Sequence, residues 1–142
     1  MDFSSFAVYC PLAVWNKNET LSFYLDPSNK TKHAGSSLFK TWFHKGSAIE
    51  IQGFDTSLWL KNTVRRNDFV LFKMDIEGAE YKVLEKMIED GTILLIDHLV
   101  VEWHCAHTYK FCGGLSFSQR MKVKRQTSRI IKQSGSVLVS WH

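Results

Sequence analysis

The sequence predicts a single α/β domain, built on a mostly parallel sheet with flanking helices. Three observations predict it. The chain has 142 residues, 44% hydrophobic and 23% charged, which is enough for one domain with a real core. Residues 69–141 alternate short apolar runs with helical patterns, in the order strand, helix, strand, helix, strand. The apolar run Phe69-Val70-Leu71-Phe72 passes through a polar turn, Lys73 to Glu80, directly into a helix-periodic stretch. That strand–turn–helix is the unit around which open parallel sheets place their ligands, at strand carboxyl ends.

Taken in order, Phe6 to Trp15 (FAVYCPLAVW) reads as a buried strand ending near Ala13 or Trp15. Asn16-Lys17-Asn18 is turn-like, and Thr20 to Leu25 follows as a short strand suited to pair antiparallel with the first. Asp26 to Ser47 is polar, with Pro27, Gly35 and Gly46, and reads as a long loop; loops of that length are usually functional or mobile. Ala48 to Gln52 is a brief strand. Asp55 is placed to cap a short helix carrying Leu58, Trp59, Leu60 and Val64. Asn67-Asp68 turns the chain into the strand Phe69–Met74.

Val83, Leu84, Met87 and Ile88 then fall at helical spacings, and Gly91 is positioned as a left-handed helix end. Ile93 to Ile96 leads into His98 to Trp103 (HLVVEW), another buried strand. His104 to Gly114 is a loop. Ser116 caps a helix running to about Ser134, Gly135 closes it, and Val137 to Trp141 is the last strand. Crossovers of ordinary length place the ends of Phe69–Met74 and His98–Trp103 side by side.

The net charge of +4 argues for solubility more than for a polyanionic partner. The final helix carries Arg120, Lys122, Lys124, Arg125, Arg129 and Lys132, but no aromatics interleave, so it reads as a solvated face and not as a nucleic-acid site. Three cysteines at irregular spacing argue against a disulfide framework. The set His104, Cys105, His107, Cys112 matches no common zinc spacing, and no metal site is assigned. No signal peptide and no membrane-spanning stretch is read at the start, where Pro11 interrupts the apolar run. Asn18-Glu19-Thr20 and Asn29-Lys30-Thr31 fit the glycosylation acceptor pattern, which is frequent by chance. The sequence assigns neither a compartment nor an oligomeric state.

The chemistry concentrates where two strands end. Asp75 sits at the first strand's end; Glu77 is suited equally to helix start and site; Glu80 reads as a first-turn acid complementing the helix dipole. Glu102 ends an apolar strand, where a carboxylate is costly unless paired or facing a crevice. His104 follows it, and its alternative is a hydrogen-bonded structural histidine. Asp75, Glu77, Glu102 and His104 therefore form the candidate catalytic constellation. Such a set suits general-base work on an acceptor hydroxyl, or divalent-cation binding through oxygen and nitrogen.

The segment KMDIEGAEYKVLEKMIEDGTILLIDHLVVEWH, Lys73 to His104, resembles the FkbM family of S-adenosylmethionine-dependent methyltransferases. The family motif Lys-x-Asp-x-Glu-Gly-Ala-Glu is matched by Lys73, Asp75, Glu77, Gly78, Ala79 and Glu80. Gly53 to Leu60 (GFDTSLWL), with Asp55 entering a helix, is similar to another family segment. Val101 to His104 and Gly135 to Val139 resemble a eukaryotic branch. The resemblance runs roughly from Phe6 onward and implies a partial Rossmann-like, class I methyltransferase-like fold. It implies S-adenosylmethionine as cofactor and a small-molecule or glycan hydroxyl as acceptor. In that reading Asp75 is base, orienter or metal ligand, Glu77 and Glu102 shape the crevice, and His104 is the alternate base.

The family's glycine turn Asp-x-Gly-x-x-x-Gly and its acid-proline strand end have no counterpart in this sequence. The chain therefore reads as a single, N-terminally truncated domain with an open edge on the Phe69 strand. Two further readings stand beside this one. One is a methyltransferase-fold remnant or interaction module without catalysis; the other is a metal-dependent hydrolase.

Overall fold

The computed structural model describes residues 12–26, 35–40, 48–105 and 115–141. Among these lie six strands and three α-helices. The strands form two three-stranded sheets, ordered β1-β3-β2 and β4-β5-β6. In the first, β1 (Leu12–Trp15) runs parallel and β2 (Glu19–Tyr24) antiparallel to β3 (Ala48–Asp55). In the second, β4 (Leu71–Met74), β5 (His98–Glu102) and β6 (Val137–Trp141) are all parallel. The fold is thus α/β, with one mixed and one parallel sheet.

The first sheet corrects one expected pairing. β1 and β2 do not pair with each other; β3 lies between them. Trp15 registers with Asp55 and Glu19 with Gly53, so residues 16–18 step across the end of β3. The Asn18 side chain fastens that step by accepting the Asp55 N–H at 2.8 Å. Trp15 Nε1 donates to Glu19 Oε1 at 2.6 Å across it. β3 is also longer than the expected Ala48 to Gln52. It runs on through Gly53, where a Cβ would lie 2.5 Å from Leu21 Cδ1, so a side chain there would force the Leu21 side chain to shift. The expected strand Phe6 to Trp15 is seen from Leu12; residues 6–11 lie outside the described residues, as does most of the polar loop 26–47.

The helices follow their caps. Asp55 accepts the Leu58 N–H at 2.9 Å and starts α1 (Thr56–Thr63). α2 (Glu80–Glu89) starts at Ala79 without a side-chain cap and is followed by left-handed Gly91, φ 73°, and a 3-10 turn, Thr92–Leu95. α3 (Phe117–Ser134) opens on a full capping box between Ser116 and Gln119 and ends at Gly135, φ 81°.

Tyr81, Leu84 and Met87 of α2, Leu99 and Val101 of β5, and Val123 and Ile131 of α3 form one buried core with Trp103. Each fully buried aliphatic side chain there stabilises the fold by roughly 1.5–3 kcal/mol. This core fixes the carboxyl ends of β4 and β5 relative to α2. No helix among the described residues is long and apolar enough to cross a membrane.

β4 is shorter than the expected Phe69–Met74, because Val70 turns its carbonyl to the Asp97 and His98 N–H groups, both at 3.0 Å. β4 is an edge of its sheet, and Phe69 and Leu71 are 65% and 60% exposed, although the sequence reads as a buried strand. Among the described residues no strand lies beyond β4.

Candidate functional site

β4 ends at Met74 and delivers Asp75 and Glu77 into a tight turn. Glu77 has φ 51° and Gly78 φ 100°, two left-handed residues in succession. The second must be glycine. Its φ disfavours any side chain, and a Cβ would sit 3.2 Å from the Phe39 ring and 3.4 Å from Cys105 Sγ. The first is a glutamate held where a non-glycine residue is uncommon. Ser37 holds it there: its hydroxyl donates to the Glu77 carbonyl at 2.8 Å. Backbone bonds pair Ser37 with Tyr24, so β2 of the first sheet reaches the turn of the second. Trp15, at the end of β1, lies under Lys82 of α2, with Nζ 5.4 Å from its ring.

β5 ends at Glu102 beside β4, and His104 follows. The structure brings Asp75, Glu77, Glu102 and His104 together. His104 Nε2 lies 3.6 Å from Glu77 Oε1, 3.8 Å from Asp75 Oδ1 and 3.8 Å from Glu102 Oε1. Its other nitrogen, Nδ1, is 2.7 Å from Glu80 Oε1. The His104 carbonyl accepts the Tyr81 hydroxyl at 2.8 Å. The imidazole is thus anchored through its backbone and its ring, with Nε2 turned to the three remaining carboxylates.

Glu80 is the residue sequence reasoning misassigned. It is at the helix start, as expected of a first-turn acid, but it is fully buried. Its Oε1 accepts the Ile76 N–H at 3.1 Å as well as facing His104. The helical spacing carried the signal. Glu80 shares a face with Val83, Leu84 and Met87, all buried, so its carboxylate needed a partner inside. Asp75 and Glu77 do not cap α2.

The electrostatics follow from this crowding. The hydrogen bond to Glu80 raises His104 from 6.5 to about 9, against the opposing effect of burial, with Glu80, Glu77 and Glu102 adding attraction. Burial raises Glu77 above its ordinary value; His104 opposes this, and Asp75, Glu80 and Glu102 add to it. Burial and the Glu80 charge push Tyr81 up to about 12, so its hydroxyl stays a donor at neutral pH. His104 is accordingly an imidazolium at neutral pH, which removes its capacity to act as a base in this state.

These residues form the polar end of a cleft of about 720 Å³ between the two sheets. Val14, Phe23, Leu25, Leu38 and Ile51 line its apolar walls. The arrangement offers carboxylates that accept a proton or hold a cation, beside an apolar surface for a ligand body. Asp75, Glu77 and His104 place one ligand atom each within 4.8 Å of one another, a grouping compatible with a metal ion.

Cys105 is disulfide-bonded, with its partner outside the described residues. The odd count excludes pairing of all three cysteines but not of two. The disulfide also removes the Cys105 thiolate from the zinc set considered above; His107 and Cys112 of that set lie outside the described residues. On α3, Lys124 lies with Nζ 5.4 Å from the Trp103 ring, and Arg120 is buried with Nη1 donating to the Leu115 carbonyl at 2.8 Å. The helix is therefore not uniformly a solvated basic face.

Neither a curated protein nor a solved structure matches the chain. The family comparison is positive: residues 6–132 match the model of the methyltransferase FkbM domain, and the chain belongs to that family.

Proposed function

We propose that this domain methylates a hydroxyl oxygen of a small-molecule or glycan acceptor, with S-adenosylmethionine as the methyl donor. The observation that carries the reading is the placement of Asp75, Glu77, Glu102 and His104 at the carboxyl ends of β4 and β5, as the polar end of an apolar-walled cleft. When bound, the donor supplies an electrophilic methyl group on a sulfonium. Among the described residues, the glycines build no cradle for it. Gly53 is filled by Leu21, and Gly78 is closed by Phe39 and Cys105. Around these two glycines there is no room for the donor, while the site residues line a cleft open to an acceptor.

On the acceptor side, each residue has a role set by its surroundings. Asp75 is the most exposed of the four acids, at 40% of its side chain, and is open to an incoming hydroxyl. It serves as general base, taking the hydroxyl proton as the oxygen becomes a nucleophile. His104, charged and fixed by Glu80, orients that carboxylate and donates to the acceptor. Glu77 and Glu102 shape the crevice. Holding the hydroxyl fixed beside Asp75 lowers the barrier by removing the need to find that geometry during reaction.

The test is calorimetric titration with S-adenosylmethionine, followed by transfer of labelled methyl to sugars and other hydroxyl acceptors. The reading expects donor binding near micromolar and a base-stable methyl ether as product. Absence of binding at millimolar donor overturns it. That outcome supports the second reading, a methyltransferase-fold module without catalysis, which the lack of a donor cradle among the described residues favours.

A further inference from the structure

We infer that Asp75, Glu77 and His104, with Glu102 nearby to supply a third oxygen, bind a divalent first-row transition-metal ion. The first ground is how the imidazole is held. Glu80, buried and on the far side of the ring, takes Nδ1 at 2.7 Å, which leaves Nε2 to face the cleft. A carboxylate on the outer nitrogen of a histidine is the arrangement that orients metal-binding imidazoles and raises their basicity.

The second ground is the spacing at Nε2. A charged N–H donor facing carboxylates draws one of them to about 2.7–2.9 Å. None of the three approaches that closely. They stand off at 3.6, 3.8 and 3.8 Å from the same atom. Metal–ligand bonds of about 2.0–2.2 Å place neighbouring ligand atoms of a tetrahedral site roughly 3.3–3.6 Å apart. The Nε2–oxygen gaps are too long for hydrogen bonds, and the ligand atoms of Asp75, Glu77 and His104 lie within 4.8 Å of one another, close enough to converge on a shared ion.

The third ground is charge. Four carboxylates converge here, and among the described residues the cations within ion-pair reach are His104 and Lys73, whose Nζ is 3.5 Å from Asp75. Glu80 already takes up one side of the His104 ring at 2.7 Å, and its Oε2 is buried with no hydrogen-bond partner among the described residues, so a single imidazole faces more negative charge than it can match. One imidazole nitrogen with two or three carboxylate oxygens suits the manganese-to-zinc series better than calcium or magnesium, which prefer oxygen alone. Binding displaces any proton on Nε2 and leaves Nδ1–H on Glu80. Once bound, the ion would take the place of the His104 N–H in meeting the acceptor oxygen and would make its hydroxyl easier to deprotonate.

The experiment is calorimetry of chelator-treated protein with Mn²⁺, Zn²⁺, Mg²⁺ and Ca²⁺, together with visible absorption of a Co²⁺ complex. The donor and the acceptor are both absent, so the outcome is independent of the methyl-transfer reading. One equivalent of Mn²⁺ or Zn²⁺ at micromolar affinity is expected, with Mg²⁺ and Ca²⁺ weaker. The variant Asp75→Asn/Glu77→Gln removes two charges at partly exposed positions, preserves shape, and is expected to abolish uptake. Glu80→Gln is expected to weaken binding about 10–100-fold, as loss of a carboxylate behind a ligating histidine does. No saturable uptake at millimolar ion, uptake unchanged in the double variant, or Mg²⁺ and Ca²⁺ bound as tightly as Mn²⁺ each overturns the inference.

Discussion

Replacing Glu80 with glutamine tests the central electrostatic claim. Glutamine keeps the size of the side chain, and its amide oxygen can still accept from Ile76 N–H and His104 Nδ1–H. It removes only the charge. In the native protein that charge is the first cause holding His104 at about 9 instead of 6.5. At about 1.4 kcal/mol per tenfold, the difference corresponds to roughly 3 kcal/mol of preference for the charged ring. The ring is 20% exposed, and solvent screening brings the expected contribution to about 2 kcal/mol. The sign follows from the direction of the shift. Stability from this pair is fully present below 6.5 and is lost as pH rises through about 9. The assay is NMR titration of the His104 ring in chelator, with urea unfolding at pH 6 and above pH 9. Glu80→Gln is expected to move the His104 midpoint from about 9 toward 6.5. It is also expected to flatten the decline in stability across that window. A midpoint that stays near 9 in the variant, or a variant equally weakened at both pH values, refutes the reasoning, because packing damage alone does not depend on pH.

Three other outcomes are expected. Asp75→Asn lowers methyl transfer by roughly 10²–10⁴-fold, the usual worth of a general base, while its unfolding midpoint in urea barely moves because the side chain is 40% exposed. Gly78→Ala forces a side chain into φ 100° and against Phe39 and Cys105, and lowers unfolding stability by about 1–3 kcal/mol, read from the denaturant midpoint. Ser116→Ala removes the side chain that accepts the Gln119 N–H and breaks the capping box of α3, lowering stability by about 1 kcal/mol in the same assay.

Much of this was legible in the residues, and for identifiable reasons. The parallel order of β4, β5 and β6 followed from strand and helix periods in residues 69–141, which local spacing reports well. Asp55, Ser116, Gly91 and Gly135 were readable because caps are local chemistry. The meeting of Asp75, Glu77, Glu102 and His104 followed from two neighbouring parallel strands ending together. The insertion of β3 between β1 and β2 was not legible. It depends on the register of Trp15 with Asp55 and of Glu19 with Gly53, pairs far apart in the chain, which no local pattern encodes. Nor was the hydrogen bond from Ser37 to the Glu77 carbonyl, which locks a left-handed glutamate from the other sheet.

The misreading of Glu80 says most about how this site is built. A first-turn acid normally gains a few tenths of a kcal/mol from the helix dipole while remaining in water. Glu80 is on the core face of α2 instead, and a buried carboxylate is tolerated only with a partner. That partner is His104, so the histidine at the candidate site also keeps the fold intact. Removing its ring would strand a charge in the core at a cost of about 3–5 kcal/mol. Inactivity of His104→Ala would therefore say little about chemistry. The informative substitutions are those on either side of the ring, Glu80→Gln behind it and Asp75→Asn in front. The first changes the charge state of the imidazole and the second the group that meets the acceptor. If Asp75 is the base, Asp75→Asn lowers turnover by roughly 10²–10⁴-fold and leaves the His104 titration close to native, whereas Glu80→Gln shifts that titration and alters turnover only through it.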